Sequence, residues 1–266
     1  MTQTKTLTDK MIARTEGNIG YMIFNNPERH NAVSLDMWKA CAEIMDGYAR
    51  DPAIRVVIIT GAGEKAFVSG ADISKFAEER ADGGTERYNE AVEAGYASVY
   101  NCPKPTIAMI RGYCVGGGMG LASCCDIRIC TENSRFAVPA AKLSVGYGFD
   151  GVKRLRDIVG PSFTKEIFFT ARLFDAEEAR IMGFANRVLP ADKLESYVKD
   201  YAATIAGNAP LTVDSIKFIV GEIAKDESAR DMKKCEDMVS ACFASTDYEE
   251  GRTAFMEKRK PVFTGR

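Results

Sequence analysis

Three consecutive glycines, Gly116-Gly117-Gly118, stand between an apolar run at 106–110 that reads as a strand and a short segment to Cys125 that reads as a helix. Glycine disfavours a helix interior by roughly 1 kcal/mol per position relative to alanine, so helix propensity does not account for the run. Close backbone approach does. Without Cβ atoms a ligand can lie against the turn, and the first N–H groups of a helix are unpaired and carry the positive end of its dipole. Tight packing of the helix on a sheet is the plainer reading of the same residues. A phosphate loop is a third, but the chain has neither GxxxxGK[ST] nor GxGxxG here. A second turn, Ser69-Gly70-Ala71-Asp72-Ile73, pairs with the first as a device for aiming the Ala71 and Gly117 N–H groups at one oxygen. Each such donor contributes on the order of 3 kcal/mol when the oxygen gains charge in the transition state.

The surrounding pattern alternates strand and helix, which favours α/β architecture. Ile19–Phe24 reads as a strand, and a helix capped by Ser34 follows, with Leu35, Trp38, Cys41, Ala42, Met45 and Tyr48 as its core stripe. Residues 55–60 form a further strand, ended by Gly61-Ala62-Gly63. The polar stretch 77–88, with Asp82-Gly83-Gly84, reads as a mobile or partly helical excursion able to serve as a lid. After Gly151 the chain is mainly helical, punctuated by Pro161, Pro190 and Pro210, with a last short strand at 186–189. A core over 1–195 and a helical appendage over 196–266 are expected.

At 266 residues and 46% hydrophobic content the chain can bury a substantial core. A net charge of -2, from 35 basic and 37 acidic residues, supplies no chain-wide attraction to nucleic acid or anionic lipid. The apolar runs are far shorter than the ~20 residues of a membrane span, and a cytoplasmic protein without membrane or nucleic-acid partners is expected. Eight cysteines form no CxxC pair and the one histidine, His30, is remote from them in sequence, so no metal is expected.

Asn31-Ala32-Val33, the Ser69 and Arg111 turns, Cys125-Asp126-Ile127 and 255–261 (FMEKRKP) resemble, in order, the crotonase (enoyl-CoA hydratase/isomerase) superfamily. The resemblance spans about residues 10 to 265. It implies a spiral of ββα repeats with a C-terminal helical trimerisation region, in a homotrimer or dimer of trimers. It also implies an oxyanion hole at the N–H groups of Ala71 and Gly117 for an acyl-CoA thioester, coenzyme A being part of the substrate rather than a separate cofactor. His30, Asn31 and Ala32 match the loop along the coenzyme, with Asp72 and Ile73 in the adjoining turn and Lys258 matching a basic residue that reaches coenzyme phosphates. Asp72 is expected to fix its turn.

The two glutamates that hydratases of this superfamily use fall on Gly120 and Ala140, which have no titratable side chain to move protons. Two candidates stand nearby. Asp150 lies in the glycine-rich 145–151, two residues from the aspartate position of related dehalogenases and isomerases, which falls on Gly148; capping a helix that begins at Gly151 is its other reading. Tyr147 is similar to a tyrosine of the methylmalonyl-CoA decarboxylase branch, which carries histidine where Ala71 stands, and a packed aromatic is its other reading. The resemblance therefore implies a hydratase-like lyase, with an isomerase or decarboxylase as alternatives, and a silent acyl-CoA binder as a reading from another class.

Overall fold

A computed structural model describes residues 2–4, 7–75 and 84–266. Its strands are β1 (Thr2–Thr4), β2 (Met11–Glu16), β3 (Ile19–Phe24), β4 (Val56–Gly61), β5 (Ala66–Val68), β6 (Thr106–Ile110), β7 (Tyr113–Val115), β8 (Ile127–Thr131), β9 (Arg135–Ala137), β10 (Phe174–Asp175) and β11 (Arg187–Leu189). The core helices are α1 (Leu35–Arg50), α2 (Gly84–Tyr100), α3 (Gly117–Cys124), α4 (Ala140–Leu143), α5 (Phe149–Thr170), α6 (Ala176–Ile181) and α7 (Leu194–Ala206). Three more, α8 (Pro210–Ile223), α9 (Met232–Phe243) and α10 (Thr246–Glu257), end the chain.

A large sheet runs in the order β1-β2-β3-β4-β6-β8-β11 and a small one in the order β10-β9-β7-β5. From β3 onward the large sheet is parallel, and β4 and β6 read as unbroken apolar runs because both faces are covered. Successive strands then alternate between sheets. β4 and β5, β6 and β7, β8 and β9 each send their first member to the large sheet and their second to the small one, and each pair leads on to a helix. The expected α/β spiral of ββα repeats is therefore the observed fold.

One core lies between the large sheet, the small sheet and helices α1 and α2, around Trp38, Phe24, Phe67 and Phe136. A second lies on the other face of the large sheet, where Leu194, Val198 and Ala202 of α7 cover Tyr21, Val56, Ile58 and Ile107. The expected boundary at 195/196 falls within α7, whose buried face belongs to this second core. Ser34 stands at the N-cap of α1 with extended backbone, but its side chain makes no capping hydrogen bond. Helix α5 begins at Phe149, two residues earlier than expected, and passes Pro161 by a break at Gly160, where φ is 76°. Of the expected lid, 77–83 lies outside the described residues and 84–88 forms the first turns of α2.

Among the described residues no helix is long and apolar enough to cross a membrane, and no three metal-binding side chains converge.

Candidate active site

The two glycine turns leave neighbouring strands. β5 and β7 are parallel partners, with Ala66 beside Tyr113 and Val68 beside Cys114 across a register shift. Their turns thus emerge side by side at the carboxyl ends of the strands, where open parallel sheets receive ligands.

In the first turn Gly70 takes φ 105°, a region closed to most side chains. Val33 N–H donates to the Gly70 carbonyl at 2.9 Å and Asp72 N–H donates to the Val33 carbonyl at 3.0 Å. Ala71 is the middle residue of this parallel bridge, so its own N–H and C=O face away from Val33. The buried Asp72 carboxylate accepts from Ser74 N–H at 3.1 Å and from the Ser74 hydroxyl at 2.6 Å, holding the bend. Ile73 opens the short 3-10 turn that follows.

In the second turn Gly116 takes φ 54° and ψ -114°, and its N–H is spent on the Ala137 carbonyl at 2.8 Å. Gly117 is then the first residue of α3, with no acceptor one turn behind it. A Cβ on Gly118 would overlap the Val68 carbonyl oxygen, which is how the helix start sits so close to β5. The turns meet: a Cβ on Gly70 would stand 3.7 Å from the Gly117 nitrogen, and one on Gly117 would stand 3.6 Å from the Gly70 Cα. Among the described residues neither the Ala71 nor the Gly117 N–H has a hydrogen-bond acceptor.

A strap of residues runs beside the first turn. The carbonyl of His30 accepts from Ser69 N–H at 3.1 Å, while its exposed ring lies 6.0 Å from that of Tyr113. The Asn31 side chain is fully buried and committed to the backbone, accepting from Asn26 N–H and donating to the Ala62 and Ala66 carbonyls. Ala32 is buried, and its carbonyl accepts from the Asn26 amide. The Asn31 side chain is thus a splice between strap and strand, leaving only its backbone to a ligand. Lys258 caps α10 in left-handed conformation and is exposed.

Asp150 is exposed in the first turn of α5, where Gly148 holds the N-cap position. A carboxylate there complements the helix dipole. Tyr147 packs edge-on against Phe168 at 5.0 Å between centroids, and burial pushes its phenol above the usual tyrosine range. Gly120 lies within α3, and Ala140, buried, opens α4.

Sequence reasoning missed Tyr96. Its hydroxyl donates to the Gly117 carbonyl at 3.0 Å, and its ring meets Trp38 edge-on at 5.0 Å. The signal was a pair of glycines inside helices. A Cβ on Gly95 would come within 2.7 Å of the Trp38 ring, and one on Gly120 within 2.7 Å of the Tyr96 oxygen.

The profile described as Enoyl-CoA hydratase/isomerase matches residues 14–266. The chain belongs to the enoyl-CoA hydratase/isomerase family. A crotonyl-CoA hydratase of Syntrophomonas wolfei is 33% identical over 255 residues, covering 96% of this chain and 98% of the relative. A carnitinyl-CoA dehydratase of Escherichia coli K12 is 33% identical over 264 residues, covering 98% and 100%. Among solved structures, an enoyl-CoA hydratase/carnithine racemase from Magnetospirillum magneticum superposes with a TM-score of 0.90 at 36% identity, covering 99% of this chain and 97% of that one. This enoyl-CoA hydratase/isomerase family chain thus shares its architecture along nearly its whole length with proteins named for acyl-CoA chemistry.

Proposed function

We propose that the chain binds an acyl-CoA thioester with its carbonyl oxygen between the Ala71 and Gly117 N–H groups and stabilises the enolate formed when charge moves onto that oxygen. The observation that carries this is the contact of two turns whose amide donors are both unspent. Electrostatic stabilisation by fixed donors costs no reorganisation at the moment of reaction. The reaction is of the hydratase-like lyase class, as the names of the relatives suggest. In this reading the strap at His30, Asn31 and Ala32 follows the coenzyme, Lys258 reaches its phosphates, and Asp150 and Tyr147 stand as proton-handling candidates.

A second reading, decarboxylation or isomerisation, draws on Gly120 and Ala140, neither of which carries a titratable group. Decarboxylation needs an enolate hole and a proton donor, with no paired carboxylates. A mass-spectrometric screen of CoA esters, with hydration, isomerisation, CO₂ release and α-hydrogen exchange in heavy water as readouts, distinguishes these. One converted ester supports the enolate reading and fixes the reaction. Tight binding with no conversion or exchange across the panel would make the chain a silent acyl-CoA binder instead.

A further inference from the structure

The notch beside the glycine helix is filled by a phenol oxygen. Tyr96 reaches it from α2, and two glycines of α3 are bare around it: a Cβ would stand 2.7 Å from the hydroxyl at Gly120 and 3.4 Å from it at Gly117. These glycines are three residues apart and so share one helix face, the face that begins with the unspent Gly117 N–H. The hydroxyl is anchored at 3.0 Å on the Gly117 carbonyl. Its ring is held by Trp38 and by the Arg154 guanidinium, 5.6 Å from the ring centroid, and Arg154 in turn pairs with Glu93 at 3.4 Å. Tyr96 is nevertheless half-buried rather than sealed. A hydroxyl fixed beside the amide turn, on a residue that is itself only half-buried, is placed to act there.

We propose that Tyr96 is the proton donor to the α-carbon of the enolate; the proposal rests on the thioester reading above. In the step, the hydroxyl swings from the Gly117 carbonyl and its O–H bond breaks. The proton forms a Cα–H bond with the electron pair of the enolate C=C, the thioester C=O re-forms, and the negative charge passes from that oxygen to the phenolate. A solvent water then returns a proton to the phenolate and leaves as hydroxide. In water a thioester α-carbon is a far weaker acid than a phenol, and burial of the phenol together with stabilisation of the enolate narrows that gap in the site.

The surroundings keep the phenol in its protonated form. Burial raises the Tyr96 pKa well above the ordinary value, and the Tyr147 phenol adds to the rise. Cys124 on α3 and Tyr88 and Glu93 on α2 act in the same sense, while the Arg154 cation of α5 faces the ring. Tyr96 is therefore protonated at neutral pH and ready to donate.

Tyr96→Phe removes one oxygen and leaves the ring to pack on Trp38. With a CoA ester that the wild-type chain converts, kcat should fall by about 100-fold or more, the scale of general acid catalysis, while KM stays within about threefold. Incorporating 3-fluorotyrosine at position 96, a more acidic phenol of nearly the same shape, should shift the alkaline limb of the kcat profile to lower pH. A structural role for Tyr96 would not move that limb. An unshifted limb, or a folded Tyr96→Phe variant with wild-type kcat, overturns the proposal and leaves the enolate reading standing. A wild-type chain that converts and exchanges no ester removes both together.

Discussion

At position 117 the amide hydrogen matters more than the missing side chain. A Cβ there would meet only ordinary contacts, 3.4 Å from the Tyr96 oxygen and 3.6 Å from the Gly70 Cα, and the first position of a helix accepts proline. Gly117→Pro should therefore fold while deleting one of the two donors. The expected loss in kcat is about 100- to 1,000-fold, read by steady-state kinetics beside a circular dichroism spectrum matching wild type. Unchanged kcat in a folded variant would remove Gly117 from the chemistry. Residues of this kind are legible in a sequence, because a positive φ at Gly70 and Gly116 and the crowding at Gly118 leave glycine as the only practical choice. Tyr96 is not legible in the same way. Its meaning depends on Gly120, a tertiary neighbour on another helix, and no sequence period links the two residues.

Helix α3 is only eight residues long, too short to persist without tertiary support. Its carboxyl end is held by Arg128, buried in β8, which donates to the Cys125 carbonyl at 2.6 Å, to the Ala122 carbonyl at 3.4 Å and to the Phe184 carbonyl at 2.6 Å. Arg128→Met would strand these acceptors in a dry interior, at about 1–3 kcal/mol for an unpaired group. Thermal unfolding should move down by several degrees, with turnover falling because the amide end of α3 loosens; an unchanged melting curve would show the clamp to be dispensable. Strands β3, β4 and β6 of the large sheet are readable from their apolar runs, but β5, β7, β9 and β10 of the small sheet span only two or three residues. Runs that short carry no period, so the pairing that brings the two turns together came from the fold rather than from any local pattern.

Across the molecule, the last helices leave large apolar side chains uncovered. Ile216, Val220 and Ile223 repeat along one face of α8 at 57%, 61% and 64% exposure, and Phe243, Phe255 and Met256 add to the surface. A homotrimer or dimer of trimers through this region is our proposal for their cover. Sedimentation velocity should find an oligomer that Val220→Glu dissociates; a monomeric wild-type chain would contradict it. The thiols give a second whole-molecule test. Seven of the eight cysteines are buried and free, and burial pushes Cys124 and Cys130 up from the ordinary 9.0 to about 12. The unfolded chain releases those protons first, so stability present below about pH 9 declines as pH rises toward 12. Urea midpoints should be flat near neutrality and fall above that point; a flat curve through the window would contradict the burial.

The central claim is best tested on the thioester carbonyl itself. Isotope-edited infrared difference spectra of a bound ¹³C-labelled acyl-CoA should show its stretch displaced to lower frequency, with part of the displacement lost in Gly117→Pro. A carbonyl that absorbs at its solution frequency in both proteins would contradict the account.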